Sequence, residues 1–147
     1  MSGDAYQNKV EAFAAALMVQ AAWPTLLVAV AVMAAPVIGP VAAPQATAIS
    51  TAAWLVAAAS ALATLAFSAL LVFDALLFRL MASHDDEASG GAAVDDILAR
   101  MRLKPSPSTT RSLDDRMAGT RRLLFKQRAA LALFAAALLA AGFWAPR

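Results

Sequence analysis

A chain of 147 residues is long enough for one soluble domain, but 61% of these residues are hydrophobic and only 15% are charged. Ordinary globular domains run at about 45–50% apolar and about 25% charged, so a soluble core of this size cannot hide the excess. The absence of cysteine excludes a disulfide framework, a thiolate nucleophile and a cysteine-ligated metal. The net charge of +2 is informative only through its distribution.

Residues 1–11 read as a polar N-terminal tail containing Lys9 and Glu11. Residues 12–35 follow as a first apolar span, interrupted only by Gln20, Pro24 and Thr25. About 20 residues at 1.5 Å each cross the hydrocarbon core, and a membrane helix tolerates proline. Pro24 is expected to kink this span near Gln20. The competing arrangement starts the span at Trp23 with Pro24 at N1, leaving residues 11–22 as an interfacial helix. A signal peptide is disfavoured: the apolar stretch is too long and Ala46-Thr47-Ala48 lies too far along the chain.

Pro36, Gly39, Pro40 and Pro44 are expected to end the helix. Residues 36–50, free of charge, then form a linker long enough for a hairpin connection. The second span is placed at 51–78, with its helix continuing to Met81. The polar segment 79–122 opens on the acidic run His84-Asp85-Asp86-Glu87 and on Ser89-Gly90-Gly91, read as a flexible turn. Within it, Val94, Ile97, Leu98 and Met101 follow the i, i+3, i+4, i+7 template of an amphipathic helix over 94–103. Asp95-Asp96 near its start and Arg100, Arg102 and Lys104 near its end suit the helix dipole. Lys104-Pro105-Ser106-Pro107 begins a stiff linker. Ser112-Leu113-Asp114-Asp115 resembles a capping box, and the helix it starts becomes the third span at 123–145, followed by 146–147.

The expected fold is therefore all-α: a polytopic membrane protein with three transmembrane helices and a cytoplasmic helix–linker–helix segment. Ten of the twelve Lys and Arg residues fall in the polar segment and the basic entry of the third span, from Arg79 to Arg128, and the first linker has none. The positive-inside rule places that loop and the N-terminus in the cytoplasm, and the linker and C-terminus outside. Trp54 and Trp144 then share the outer interface. Arg outnumbers Lys nine to three in an Ala- and Leu-rich chain, a composition that suggests a bacterial inner membrane.

Few constellations carry chemistry. Asp74 is the one acid inside an apolar helix, and such carboxylates are functional candidates. Twenty residues from Trp54, about 30 Å at helical rise, it is expected at the inner interface, paired with Arg128, Lys126 or Arg122. Ala57, Ser60, Ala61, Thr64 and Ser68 form a small-residue face suited to close helix packing. Arg116, Arg121, Arg122, Lys126 and Arg128 form a basic run suited to anionic lipid headgroups. No aromatic platform or motif accompanies it, so nucleic acid is not expected. Val94, Ile97, Leu98 and Met101 offer a partner-docking stripe. The lone His84 does not fix a metal geometry, and no catalytic residue, cofactor or metal is expected. The expected partners are the lipid bilayer and either another membrane protein or a second copy of the chain as a homo-oligomer. The function these readings favour is a non-enzymatic accessory subunit or assembly factor of an inner-membrane complex. The alternatives are a holin- or toxin-like membrane-permeabilising protein and an oligomeric transporter using Asp74.

Overall fold

The computed structural model describes residues 3–42, 48–101 and 112–143. Among the described residues there are four helices and no strand: α1 (Gly3–Ala42), α2 (Ala48–Ala82), α3 (Glu87–Arg100) and α4 (Leu113–Phe143). Helices α1, α2 and α4 are each long and apolar enough to cross a membrane.

Four helix boundaries differ from those expected. Helix α1 starts at Gly3 instead of after the polar tail. Asp4 stands in its first turn, where the dipole favours an acid, and Tyr6, Val10, Ala14 and Leu17 repeat on one buried face. The polar residues between them occupy the outer face of the same helix. At its other end α1 runs through Pro36, Gly39 and Pro40 to Ala42. Pro24 is likewise inside α1 and buried, and the Thr25 hydroxyl donates to the Ala21 carbonyl at 2.9 Å one turn back. The interfacial-helix alternative is thus replaced by one helix continuous through Trp23 and Pro24. Helix α2 begins at Ala48, three residues before its expected start.

Helix α3 holds the fourth difference. It begins at Glu87, so Ser89-Gly90-Gly91 is helix and not a flexible turn. Asp86 is its N-cap, in extended backbone, with its carboxylate accepting from the Ser89 amide at 2.8 Å. That bond holds the Asp86 carboxyl below its ordinary pKa. Gly90 is buried because a backbone lies against it: a Cβ built there would stand 2.9 Å from the Met81 carbonyl oxygen and 2.9 Å from Tyr6 Oη. The glycine pair is read as a turn only if helix contacts are ignored; here it lets α3 approach α2. Asp95 and Asp96 consequently lie in mid-helix and not at its start. Residue 103, the expected end of this helix, and the Pro-Ser linker lie outside the described residues.

This close approach makes a prediction. Alanine at an exposed helix position gains about 1 kcal/mol over glycine, but overpacking against an immovable backbone costs about 1–3 kcal/mol. Gly90→Ala is expected to destabilise the protein by about 1–2 kcal/mol and to raise amide exchange in α3. Gly119→Ala, with nothing within 4 Å of its built Cβ, is expected to be neutral or to stabilise. Thermal unfolding with hydrogen exchange checks both; equal behaviour of the two variants would refute the close-approach argument.

Packing divides the chain into two compact units, Met1–Gln20 with Leu70–Leu123, and Ala21–Ala69 with Leu124–Arg147. The first unit gathers the start of α1, the end of α2, α3 and the start of α4. Its buried apolar residues include Tyr6, Val10, Leu17, Leu71, Phe78, Met81, Val94, Leu113 and Met117, and Phe13 meets Phe78 edge to face with ring centroids 4.9 Å apart. The second unit contains the rest of α1, α2 and α4, with a core of Val28, Ala57, Ala61, Phe134 and Ala137. Its pattern is inverted relative to a soluble protein. Large apolar side chains face outward, Met33 being 78% exposed and Leu62 68%, whereas Thr64 and Gln127 inside are 0% and 1% exposed. In water such a surface marks an interaction site far larger than a monomer normally shows.

Candidate functional site

Polar groups within the first unit are joined around α3. The turn from Ser83 to Asp86 closes α2: the Ser83 amide reaches the carbonyls of Arg79 and Leu80, and the His84 amide reaches that of Met81. His84 Nδ1 lies 3.0 Å from the Leu80 carbonyl oxygen, so its ring serves the end of a helix. Gln7 of α1 donates through Nε2 to the His84 carbonyl at 3.3 Å. Among the described residues no group of three or more His, Asp or Glu is placed to hold a metal.

Two carboxylates of α3 then hold the start of α4. Glu87 accepts the Leu113 amide at 2.6 Å, satisfying one of the orphan donors of a helix N-terminus. Asp95 pairs with Arg116 at 2.8 Å, their side chains only 18% and 12% exposed. At Ser112 the capping pattern is realised differently from the expected box. Ser112 Oγ accepts the Asp115 amide at 3.2 Å, and its hydroxyl donates to the Asp115 carboxylate at 2.9 Å. Two further ion pairs, Lys9–Asp114 at 3.3 Å and Arg100–Asp96 at 2.8 Å, are exposed and contribute little.

Asp74, half-buried in α2, has a partner that the sequence did not suggest. The buried Thr120 hydroxyl donates to its Oδ2 at 2.9 Å. Arg122, in the same unit, is exposed, as are Lys126 and Arg128 in the second unit. The geometry gives Asp74 a helix-joining role between α2 and α4 within the first unit.

In the second unit, all five residues of the small-residue face are buried: Ala57, Ser60, Ala61, Thr64 and Ser68. Their hydroxyls mostly turn back on their own helix. Thr64 donates to the Ser60 carbonyl at 2.8 Å, Ser68 to that of Thr64 at 2.9 Å, and Ser60 to that of Val56 at 2.6 Å. This leaves them small enough for close contact without an unsatisfied donor. Only Ser68 is described bonding across helices, accepting from Gln127 Nε2 of α4 at 2.8 Å. Gln127 was missed by sequence reading because it sits inside a basic run. Its signal was spacing: Met117, Thr120, Gln127, Phe134 and Ala141 follow α4 at intervals of three and seven, and all are buried.

The docking and lipid residues must be redistributed. Val94 is buried within the first unit, because Gly90 and Gly91 bring that face of α3 against neighbouring helices; it is not available to a partner. Ile97 and Leu98 are half-buried and Met101 is exposed. Arg116 is engaged with Asp95, whereas Arg121, Arg122, Lys126 and Arg128 are exposed. The chemistry this arrangement supports is helix joining: its carboxylates and its buried amide are hydrogen-bonded to the protein itself. Comparison with family models, curated proteins and solved structures finds no match.

Proposed function

We propose that the protein is a non-enzymatic accessory subunit or assembly factor of a bacterial inner-membrane complex. In this reading α1, α2 and α4 cross the bilayer and the polar unit around α3 lies in the cytoplasm. The observation that carries the reading is the inverted second unit, whose exterior of large apolar side chains suits lipid and whose interior holds Thr64, Ser68 and Gln127. The first unit supports the topology. It brings the start of α1 together with the end of α2 and the start of α4, as three crossings with the N-terminus and polar loop on one side require. The basic residues concentrated around that loop supply the orientation. Met101, beside the half-buried Ile97 and Leu98, is the apolar edge that α3 offers a second membrane-associated protein.

A reporter active only in the cytoplasm is expected to work when inserted after Ser108 and to fail after Ala42 or Arg147. Activity after Ala42 would overturn the topology. For the accessory role, the full-length protein extracted in mild detergent is expected to migrate with another protein at fixed stoichiometry, and Met101→Glu to release it without loss of helicity. A particle containing this chain alone, with collapse of the membrane potential on induction, would replace the accessory reading with a permeabilising one.

A further inference from the structure

Two polar atoms of the first unit, Tyr6 Oη and Arg116 Nε, are buried and have no hydrogen-bond partner among the described residues. Buried polar groups are nearly always paired, with the protein or with ordered water. Tyr6 as a whole is 4% exposed. Both side chains lie against α3. Tyr6 Oη stands 2.9 Å from the position of a Cβ built on Gly90, and Arg116 donates to Asp95 through Nη2 at 2.8 Å. We propose that one buried water joins Tyr6 Oη of α1 to Arg116 Nε of α4, with the Glu87 carboxylate of α3 as its acceptor.

Spacing along two helices brings these groups together. Glu87, Gly91 and Asp95 follow one another at four-residue intervals and so form one row on α3. The middle position of that row carries no side chain. Glu87 accepts the Leu113 amide at 2.6 Å, and Arg116 follows Leu113 by one turn of α4. Its side chain ends at Asp95, and Nε lies on the stem before that contact. The charges of Glu87 and Arg116 both act on the Tyr6 hydroxyl, so the three groups are neighbours.

The donors and charges favour water over an ion. Arg116 Nε–H can only donate and so cannot ligate a metal cation. An anion could accept from Tyr6 and Arg116, but Asp86, Glu87 and Asp95 stand against a single guanidinium in this neighbourhood and repel it. A water accepts from Nε–H and from the Tyr6 hydroxyl and donates to Glu87. That gives it about three hydrogen bonds, the usual number for a buried water.

The test is a crystal structure of the full-length protein grown from lipidic mesophase, at a resolution that shows ordered water, together with amide exchange in α3. A density peak about 3 Å from both Tyr6 Oη and Arg116 Nε is expected. A direct bond from either atom to a protein group, or no peak between them, would overturn the inference. Tyr6→Phe removes the hydroxyl and keeps the ring. It is expected to raise exchange in α3 about fivefold, which corresponds to about 1 kcal/mol for one hydrogen bond. An unbridged hydroxyl has the opposite sign, because deleting a buried group without a partner relieves its desolvation. Slower or unchanged exchange in Tyr6→Phe would therefore also overturn the inference. Arg116→Lys removes Nε and keeps a cation beside Asp95. In that background Tyr6→Phe is expected to change exchange by less than about twofold, since groups that share a bridge are not additive. The same fivefold rise in both backgrounds would mean that Tyr6 bonds Glu87 directly and that no water reaches Arg116.

Discussion

Phe134→Ala is expected to destabilise the protein by about 2 kcal/mol, whereas Leu133→Ala, one residue earlier on α4, is expected to change stability by no more than about 0.5 kcal/mol. The two side chains are similar in apolar character and opposite in surroundings. Phe134 is 6% exposed among Val28, Ala57, Ala61 and Ala137, while Leu133 is 53% exposed. In a water-soluble core, Phe→Ala costs about 3–5 kcal/mol, combining lost transfer from water with the cavity left behind. In the bilayer placement proposed above, the transfer contribution nearly vanishes, because lipid tails are as apolar as the pocket. Lost contacts and the cavity remain, which sets the smaller figure. The flanking residues limit relaxation: Ala57, Ala61 and Ala137 carry only methyl groups and cannot extend into the space. Reversible unfolding of the reconstituted protein by a denaturing detergent measures both changes. An equal cost at Leu133 would mean that another protein, and not lipid, covers that face.

The contrast between neighbouring residues shows where the sequence was legible. Long apolar stretches identify three candidate crossing helices because their signal is additive over twenty residues and survives any detail of packing. Ala57, Ser60, Ala61, Thr64 and Ser68 repeat at helical spacing on α2, and all five are buried. The boundaries of α1 and α3 were not. Pro36 and Pro40 were weighed by the rules of helices in water, and Gly90-Gly91 by those of turns, whereas the backbone of Met81 decides what Gly90 is for. Residues 1–11 looked like a tail because Gln7, Asn8, Lys9 and Glu11 dominate the local composition. Their helical stripe of Tyr6 and Val10 becomes visible only in continuity with Ala14 and Leu17.

The site was less legible than the fold because hydrogen-bond partners are far apart in sequence. Thr120 is 46 residues from Asp74, and Gln127 is 59 from Ser68. Nothing local distinguishes Thr120 from an exposed threonine. Arg116 illustrates the same difficulty: in the sequence it is one cation among five in a basic run, and only α3, folded against α4 within the first unit, assigns it to Asp95.

That assignment leads to a second large effect. Asp95→Ala is expected to cost about 3 kcal/mol, the low end for breaking a buried ion pair, since both side chains keep some solvent contact. The cost comes chiefly from what remains. Arg116 Nε is already buried without a hydrogen-bond partner, and the substitution would strip Nη2 of its partner as well, leaving a charged group poorly solvated. Asp96→Ala, the adjacent acid, is expected to change stability by less than about 0.5 kcal/mol. Its partner Arg100 is 77% exposed and regains water. Replacing both members of the buried pair, Asp95→Leu with Arg116→Met, is expected to recover most of the loss, because apolar residues of similar volume need no partner. The double-mutant cycle then gives a coupling of about 2 kcal/mol or more, and amide exchange in α3 reports where the loosening occurs. If Asp95→Ala and Asp96→Ala cost the same, Arg116 would not be held against α3 and would be free to join the exposed cations of α4. The cycle therefore tests both the stability of the first unit and the separation of Arg116 from the exposed basic residues of α4.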